Sequence, residues 1–281
     1  MSLTSAQLEQ FHQRGYVVVP HFFDPRQTRA IRLEVQRLQR VGKLRNVATA
    51  GDGQTPVTGQ RNLQLCPLYQ DSTFFRALPF APQVVQAVQA LIGDPVVLHL
   101  DQVFLKPGGD GMGTNWHQDN AYFRIADPRQ GTAMWIAVHD ATVANGTLRV
   151  IPDAWRDPFP HSRDPMSDHH IRMYPDARQE SRAVDCEIQA GGVVFFCYGT
   201  PHATGPNRTD RDRAGVAYHF LTAEAIPGSA QPDYFKEPRD YRPYLTGPKA
   251  SGGRNEYGTT VAGTWDQEIA RVLADPAPAA V

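Results

Sequence analysis

Two of the ten histidines in this 281-residue chain are followed two positions later by an aspartate, in His99-Leu100-Asp101 and His117-Gln118-Asp119. In extended chain residues i and i+2 point the same way, so either triplet brings an imidazole and a carboxylate within reach of one metal ion. Alone the pattern is weak, because an acid follows a given histidine at that spacing about one time in twenty and roughly half a match arises by chance. Context separates the two. His99 and Asp101 lie inside the apolar run VVLHLDQVFL, where a paired contact on one strand face is the expected reading. His117 and Asp119 follow GGDGMGTNW, a Gly-rich approach that lets a backbone come close to a site. The third ligand is expected from a distant strand. His202 supplies it, because it follows the apolar run GGVVFFCYG and precedes a turn, which places it at a strand end. Two histidines and one carboxylate on one face of an octahedral ion form the facial triad of non-haem Fe(II) oxygenases, with three positions open. Zinc is the alternative for the same ligands, although its hydrolytic sites usually keep one open position.

A candidate anion-binding feature lies eleven residues beyond His202. Arg213 begins the run AGVAYHFL, where a guanidinium can grip the far carboxylate of a dicarboxylate chelated to the metal. The competing reading is a charged turn in which Arg208, Arg211 and Arg213 interleave with Asp210 and Asp212. Arg213 is preferred because it enters the strand. The histidines at 12, 21, 139, 161, 169, 170 and 219 show no comparable pairing, and the adjacent His169 and His170 are expected in a solvated loop.

These residues need a scaffold, and the patterning describes one. Thr4 with Gln7 fits a capping box for a helix carrying Leu8 and Phe11 and stopped by Gly15, before the strand-like Tyr16–Val19. Asp24-Pro25 opens a second helix with Ile31, Val35 and Leu38 at helical spacing, ending at Gly42. A third follows Pro82 and carries Val84, Val85, Val88, Leu91 and Ile92 up to Gly93. From residue 96 short β-branched or aromatic runs alternate with Gly, Pro, Asn and Asp, among them GTAMWIAVHDA, GTLRVI and RAVDCEI. Such spacing without intervening helices predicts an antiparallel sandwich or barrel. Residues about 43–60, 152–181 and 226–264 lack periodicity and are expected to be lids, binding loops or disorder, and DPAPAAV a loose tail. One domain is expected over 1–281, helical to about 95, β to about 225, then loops and tail.

Composition narrows the partner. With 28 basic and 29 acidic residues there is no global field to attract nucleic acid or a membrane surface, and no apolar run is long enough to span a bilayer. Cys66, Cys186 and Cys197 are few and lack C-x-x-C spacing, which predicts reduced core thiols of a cytoplasmic protein. A small molecule is the expected partner, and the sequence does not speak to oligomeric state.

In order along the chain, LTSAQLEQFHQRGYVVVPHFF, NWHQDNAYF, MWIAVHDATVANGTLRVIP and PHATGPNRTDRDRAGVAYHF resemble the phytanoyl-CoA dioxygenase family of Fe(II)/2-oxoglutarate oxygenases. The resemblance implies a mainly β fold with flanking helices around a double-stranded β-helix (jelly-roll, cupin-like) core. It implies Fe(II) held by His117, Asp119 and His202, with 2-oxoglutarate and O2 as co-substrates. Arg213 then anchors the 2-oxoglutarate C5 carboxylate, Thr204 offers a hydroxyl that assists it, and Gln102 and Trp135 match positions that contact the co-substrate. Asn145-Gly146 matches the family's tight turn. Asp119 is intact, where a small residue would suggest a halogenase. One departure stands out: where the family commonly reads Pro-Gly-Ser-His after Leu148–Ile151, this chain has Pro152-Asp153-Ala154-Trp155. The expected activity is hydroxylation of an unactivated C–H bond of a small metabolite, releasing succinate and CO2. Desaturation, epoxidation or cyclisation by the same oxidant is the variant reading. A zinc hydrolase, which needs a general-base acid near the metal, and a non-catalytic metabolite sensor are the readings from other classes.

Overall fold

In the computed structural model, residues 2–228, 243–250, 255–256, 259–260 and 263–275 are described. The expected loop at 226–264 and the expected tail therefore fall largely outside the described residues. Helices α1 (Ser5–Arg14), α2 (Pro25–Arg40), α3 (Thr73–Ala77) and α4 (Pro82–Ile92) precede the main run of strands. The short α5 (Asn120–Phe123) and α6 (Ala177–Glu180) interrupt that run, and α7 (Trp265–Ala274) follows it. The Thr4/Gln7 capping box forms as expected, and Asp24 and Gln27 form a second at α2. Each such cap satisfies orphan amides at a helix start and contributes about 1 kcal/mol.

Thirteen of the fifteen strands among the described residues build the body: β1 (Tyr16–Val19), β2 (Arg45–Asn46), β3 (Leu63–Leu65), β4 (Val96–Lys106), β5 (Thr114–His117), β6 (Gly131–Ala137), β7 (Leu148–Val150), β8 (Ser162–Arg163), β9 (Ile171–Arg172), β10 (Val184–Asp185), β11 (Val193–Cys197), β12 (His202–Thr204) and β13 (Arg213–Thr222). The major sheet runs β1-β11-β6-β13-β4-β3-β2 and the minor sheet β10-β7-β12-β5, with every named pairing antiparallel. The two sheets face each other as a cupin-like sandwich without closing into a barrel. Because side chains alternate along a strand, the major sheet has two buried faces of different character. Val17, Met134, Ile136, Phe195, Val216, Tyr218 and Phe220 pack outward into the large core shared with the helices. Trp135, Phe196 and Ala217 face inward, where they meet Leu148 and Val150 of the minor sheet. The site lies on this inner side.

Several segments that show no periodicity nevertheless carry structure. β2 and β3 extend the major sheet at its edge, so the β core draws on chain well before residue 96. Within 152–181, β8 and β9 pair as a hairpin and Asp176 caps α6 with a capping box to Gln179. RAVDCEI contributes only the two-residue β10, while Ile188 bridges Ala141. Tertiary pairing, rather than local pattern, creates these pieces.

Candidate active site

His117 ends β5 and His202 begins β12, and the two residues stand opposite each other in the antiparallel register. Their ring centroids are 4.2 Å apart. Each ring is oriented from behind: His117 Nδ1 lies 2.8 Å from the Asn115 carbonyl and His202 Nδ1 lies 3.0 Å from the Thr200 carbonyl. Both carbonyls accept from Nδ1–H, which leaves both Nε2 lone pairs free to ligate. Asp119 sits at the turn into α5, and its Oδ1 lies 3.7 Å from His202 Nε2. The ligating atoms of His117, Asp119 and His202 all fall within 4.8 Å of one another, and among the described residues no other trio of His, Cys, Asp or Glu does so.

The electrostatics suit a cation. Burial pushes His117 down and His202 down to about 4, so both rings are held neutral, the form that binds metal. Burial alone would raise the Asp119 carboxyl, but His219, His202 and His117 outweigh it and hold the group well below the usual carboxylate range. A buried, ionised carboxylate beside two neutral imidazoles is the donor set that hard-to-borderline Fe(II) takes. The residues fit the metal.

The triad opens into a cavity of about 540 Å³ between the sheets. All seven expected site residues line it: His117, Asp119, His202, Arg213, Thr204, Gln102 and Trp135. Arg208 and Arg211 are exposed in the preceding turn, whereas Arg213 is 1% exposed. The Arg213 guanidinium donates to the Gly146 and Asn145 carbonyls and lies 5.7 Å from the centre of the Trp135 ring. The fold also brings Lys106, which sequence reasoning missed, directly opposite Arg213 on β4. Lys106 is 1% exposed and donates to Thr204 Oγ1 at 2.6 Å and to the Gly205 carbonyl. Burial and then Arg213 push its ammonium well below the usual range. Neither cation makes an ion pair with a carboxylate among the described residues. Two buried cations side by side without a counter-charge form an anion site.

The sequence profile of the phytanoyl-CoA dioxygenase (PhyH) family matches residues 11–215. The chain belongs to that family. It is 25% identical over 262 residues to the ectoine dioxygenase of Stutzerimonas stutzeri (strain A1501), covering 84% of both chains. It is 27% identical over 243 residues to the methylphosphonate hydroxylase of Gimesia maris (strain ATCC 29201 / DSM 8797 / 534-30), covering 85% of this chain and 87% of that one. By fold it is similar to the epimerase SnoN of nogalamycin biosynthesis, crystallised with Fe3+, alpha ketoglutarate and nogalamycin RO, at a TM-score of 0.66 and 20% identity over 78% of this chain and 83% of that one. The protein is a 2-oxoglutarate-dependent non-haem iron oxygenase, with Fe(II) as its metal and 2-oxoglutarate and O2 as its co-substrates.

Within this phytanoyl-CoA dioxygenase relative several local expectations change. The Thr204 hydroxyl accepts from Lys106 and from the Thr114 amide at 3.1 Å, rather than serving Arg213 directly. The departure at 152–155 has a backbone explanation: Asp153, where the family commonly has Gly, takes φ +62°, a left-handed conformation that Asp tolerates. Trp155 is buried there and donates through Nε1 to the Gln13 carbonyl at 3.4 Å, so this piece packs on α1 and not over the cavity. His169 and His170 are half-buried and line the cavity, contrary to the solvated loop expected of them. The hairpin that carries them is backed by residues 43–60 through the Thr49 amide to the Met166 carbonyl at 3.1 Å and the Arg45–Asp168 ion pair at 2.5 Å. His219, which has no paired acid along the sequence, places Nε2 3.2 Å from Asp119 Oδ2. His99 and Asp101 stay out of the site. Asp101 is fully buried and accepts from the Leu68 amide at 3.1 Å.

Proposed function

We propose that this enzyme hydroxylates an unactivated C–H bond of a small polar metabolite, using His117, Asp119 and His202 to hold iron and Arg213 with Lys106 to hold the distal carboxylate of 2-oxoglutarate. The carrying observation is that the two buried, uncompensated cations share one cavity with the triad. A dicarboxylate is the ligand that chelates a metal at one end and still presents an anion at the other. The overall conversion balances: substrate C–H, 2-oxoglutarate and O2 give substrate C–OH, succinate and CO2. Iron with 2-oxoglutarate and O2 supplies the oxidising chemistry, and the protein supplies position and dryness.

Arg213 and Lys106 clamp the carboxylate from adjacent strands, Thr204 orients Lys106, and the Trp135, Phe196 and Leu148 side chains exclude water around the co-substrate. The cavity is also lined by Gln64, Gln102, Tyr122, His169 and His170. Gln64 Nε2 donates to Gln102 Oε1 at 2.8 Å, while Gln64 Oε1 is buried without a partner and suits a substrate N–H or O–H. Asp119 is the only acid among the described lining residues, so these offer no separate acid as the general base a zinc hydrolase needs.

No described helix is long and apolar enough to cross a membrane. Cys186 and Cys197 are buried thiols, and a cytoplasmic setting is the reading that suits them. Strands from both sides of residue 96 share each other's sheet, which supports one catalytic domain over the chain. Anaerobic addition of Fe(II) and then 2-oxoglutarate to the metal-free protein tests the reading. A weak visible charge-transfer band is expected, absent in His117→Ala. No band in the parent protein overturns it.

A further inference from the structure

Asp119 has two carboxylate oxygens with different surroundings. Oδ1 faces His202 Nε2 at 3.7 Å, on the side where the triad converges. Oδ2 faces His219 Nε2 at 3.2 Å, with the N–H turned off the ordinary hydrogen-bond line, and no other polar group of the described residues satisfies it. His219 has no second partner either, since its Nδ1 is buried without one. Both side chains are nearly sealed, at 7% and 4% exposure. A small tilt of the ring completes the one contact open to each.

His219 arrives from the opposite sheet to His117 and His202. It belongs to β13, on the inward face shared with Arg213 and Ala217, and it stands opposite Leu100 of β4. The β13–β4 register breaks immediately after it, between His219 and Phe220, leaving His99 as an extra residue on β4. Such a bulge bends the ladder and re-aims neighbouring side chains, and bulges cluster beside active sites. Phe123 and Tyr198 hem the ring in, with centroids at 5.3 and 6.0 Å. The imidazole is therefore packed in place with one ring nitrogen aimed at the carboxylate.

Resting on the triad reading above, we propose that His219 is a positioning residue for the iron site: its Nε2–H holds Asp119 Oδ2, so that the carboxylate offers the metal Oδ1 alone. Without that hold the carboxylate swings freely, so metal binding must first order it, and it can also present both oxygens. It would then occupy a position that 2-oxoglutarate or O2 must use. Outer partners of this kind typically govern metal affinity by 10- to 100-fold.

The test compares His219→Met, which keeps length and removes the donor, with His219→Gln, whose amide Nε2 stands near the position of the imidazole Nε2. Each is titrated anaerobically with Co(II) alone, followed by its visible absorption, with far-UV circular dichroism confirming the fold. Co(II) affinity is expected to fall about 10- to 100-fold in His219→Met and to remain within about threefold of the parent in His219→Gln. Parent-like affinity in His219→Met, or an equal loss in both variants, overturns the proposal. Infrared difference spectra of the Zn(II)-loaded parent, with 13C-labelled aspartate, decide the matter even where the Met variant does not fold. A wide separation of the carboxylate stretches, that of a single bound oxygen, is expected, and a narrow separation overturns the proposal. Failure of the parent itself to bind Co(II) overturns the triad reading and this inference with it, whereas normal binding by the parent and both variants overturns this inference alone.

Discussion

Replacing Arg213 with Met removes a buried positive charge while keeping an unbranched side chain that still packs on Trp135. In the parent the guanidinium is 1% exposed, donates only to the Gly146 and Asn145 carbonyls, and has no carboxylate partner among the described residues. Removing one partner of a buried, hydrogen-bonded charge pair costs about 2–5 kcal/mol. Lys106 remains at the opposing register position and still presents its charge to the same ligand, so the loss belongs in the lower part of that range, about 2–3 kcal/mol. At 1.4 kcal/mol per tenfold this weakens 2-oxoglutarate binding by about 30- to 150-fold. Arg213→Lys keeps a point charge and loses the planar fork, and an intermediate loss of about tenfold is expected. Anaerobic titration of the Fe(II)-loaded proteins with 2-oxoglutarate, followed by the charge-transfer band, measures each Kd. The exposed Arg211→Met serves as the control and is expected to match the parent. The ligand-free Arg213→Met protein is expected to melt no lower than the parent, because an unpaired buried charge gives way to an apolar side chain. A Kd within about threefold of the parent refutes the anion-site argument, and a lower Tm with unchanged Kd shows that Arg213 serves the fold.

Other consequences follow from the same surroundings. Lys106 is held well below its usual range in the free protein by burial and by Arg213, and a bound dianion favours its charged form. Binding therefore takes up protons wherever the free amine has lost one, and 2-oxoglutarate affinity falls as pH rises above the free-state pKa; calorimetry over a pH series in two buffers of different ionisation enthalpy is expected to show uptake that grows as pH rises, and uptake persisting in Lys106→Met would sink the assignment. Burial pushes the Asp101 carboxyl up to about 7 from 3.8, so the folded state binds its proton more tightly than the unfolded one. The resulting stability is complete below the unfolded pKa and is lost as pH rises through about 7, by on the order of 4 kcal/mol at most; urea unfolding of Asp101→Asn is expected to lack this slope, and an identical slope excludes Asp101 as its source. Gly146 adopts φ +78°, and a Cβ there would run into the Gly205 carbonyl. Gly146→Ala is expected to cost about 1–3 kcal/mol in stability and also to weaken 2-oxoglutarate binding, since the Gly146 carbonyl holds Arg213; parent-like values of both refute the placement.

What could be read from sequence followed the length of the pattern. α2 and α4 span several turns and carry caps or flanking Pro and Gly, so their periodicity identifies them. β2, β8, β9 and β10 are two residues each, too short to show a period of two, and they exist only because a partner strand lies alongside. The same contrast holds in the site. Residue type and strand-end position were enough to single out His117, Asp119, His202 and Arg213. Lys106 was missed because a lysine closing an apolar run reads as the strand's exit to solvent, although it shares parity with Gln102 and Phe104 on the cavity-facing side. His219 was missed for a different reason. It shares parity with Arg213 and Ala217, so its inward face was legible, but its partner is not on its own strand. The distance from His219 to Asp119 is set by how far apart two sheets pack, and no local spacing records that.

The distinction matters for function, because the chemistry here depends on charges left uncompensated. A sequence displays every Arg, Lys and Asp and does not show which of them meet. Arg208 and Arg211 are as cationic as Arg213, yet they sit in an exposed turn where solvent screens them. Arg213 differs by one structural fact: as the first residue of β13 it turns inward, beside Lys106, into a space whose described lining holds no acid other than the triad's own. Placing Arg213 and Lys106 side by side in that way disfavours the doubly charged state of the empty protein, and an anion of the right reach favours it. The same holds at the other end of the cavity, where an ionised Asp119 is buried between neutral imidazoles and is relieved by a cation. One cavity with a cation deficit at one end and an anion deficit at the other selects a metal-chelating dicarboxylate from among the small molecules of the cell.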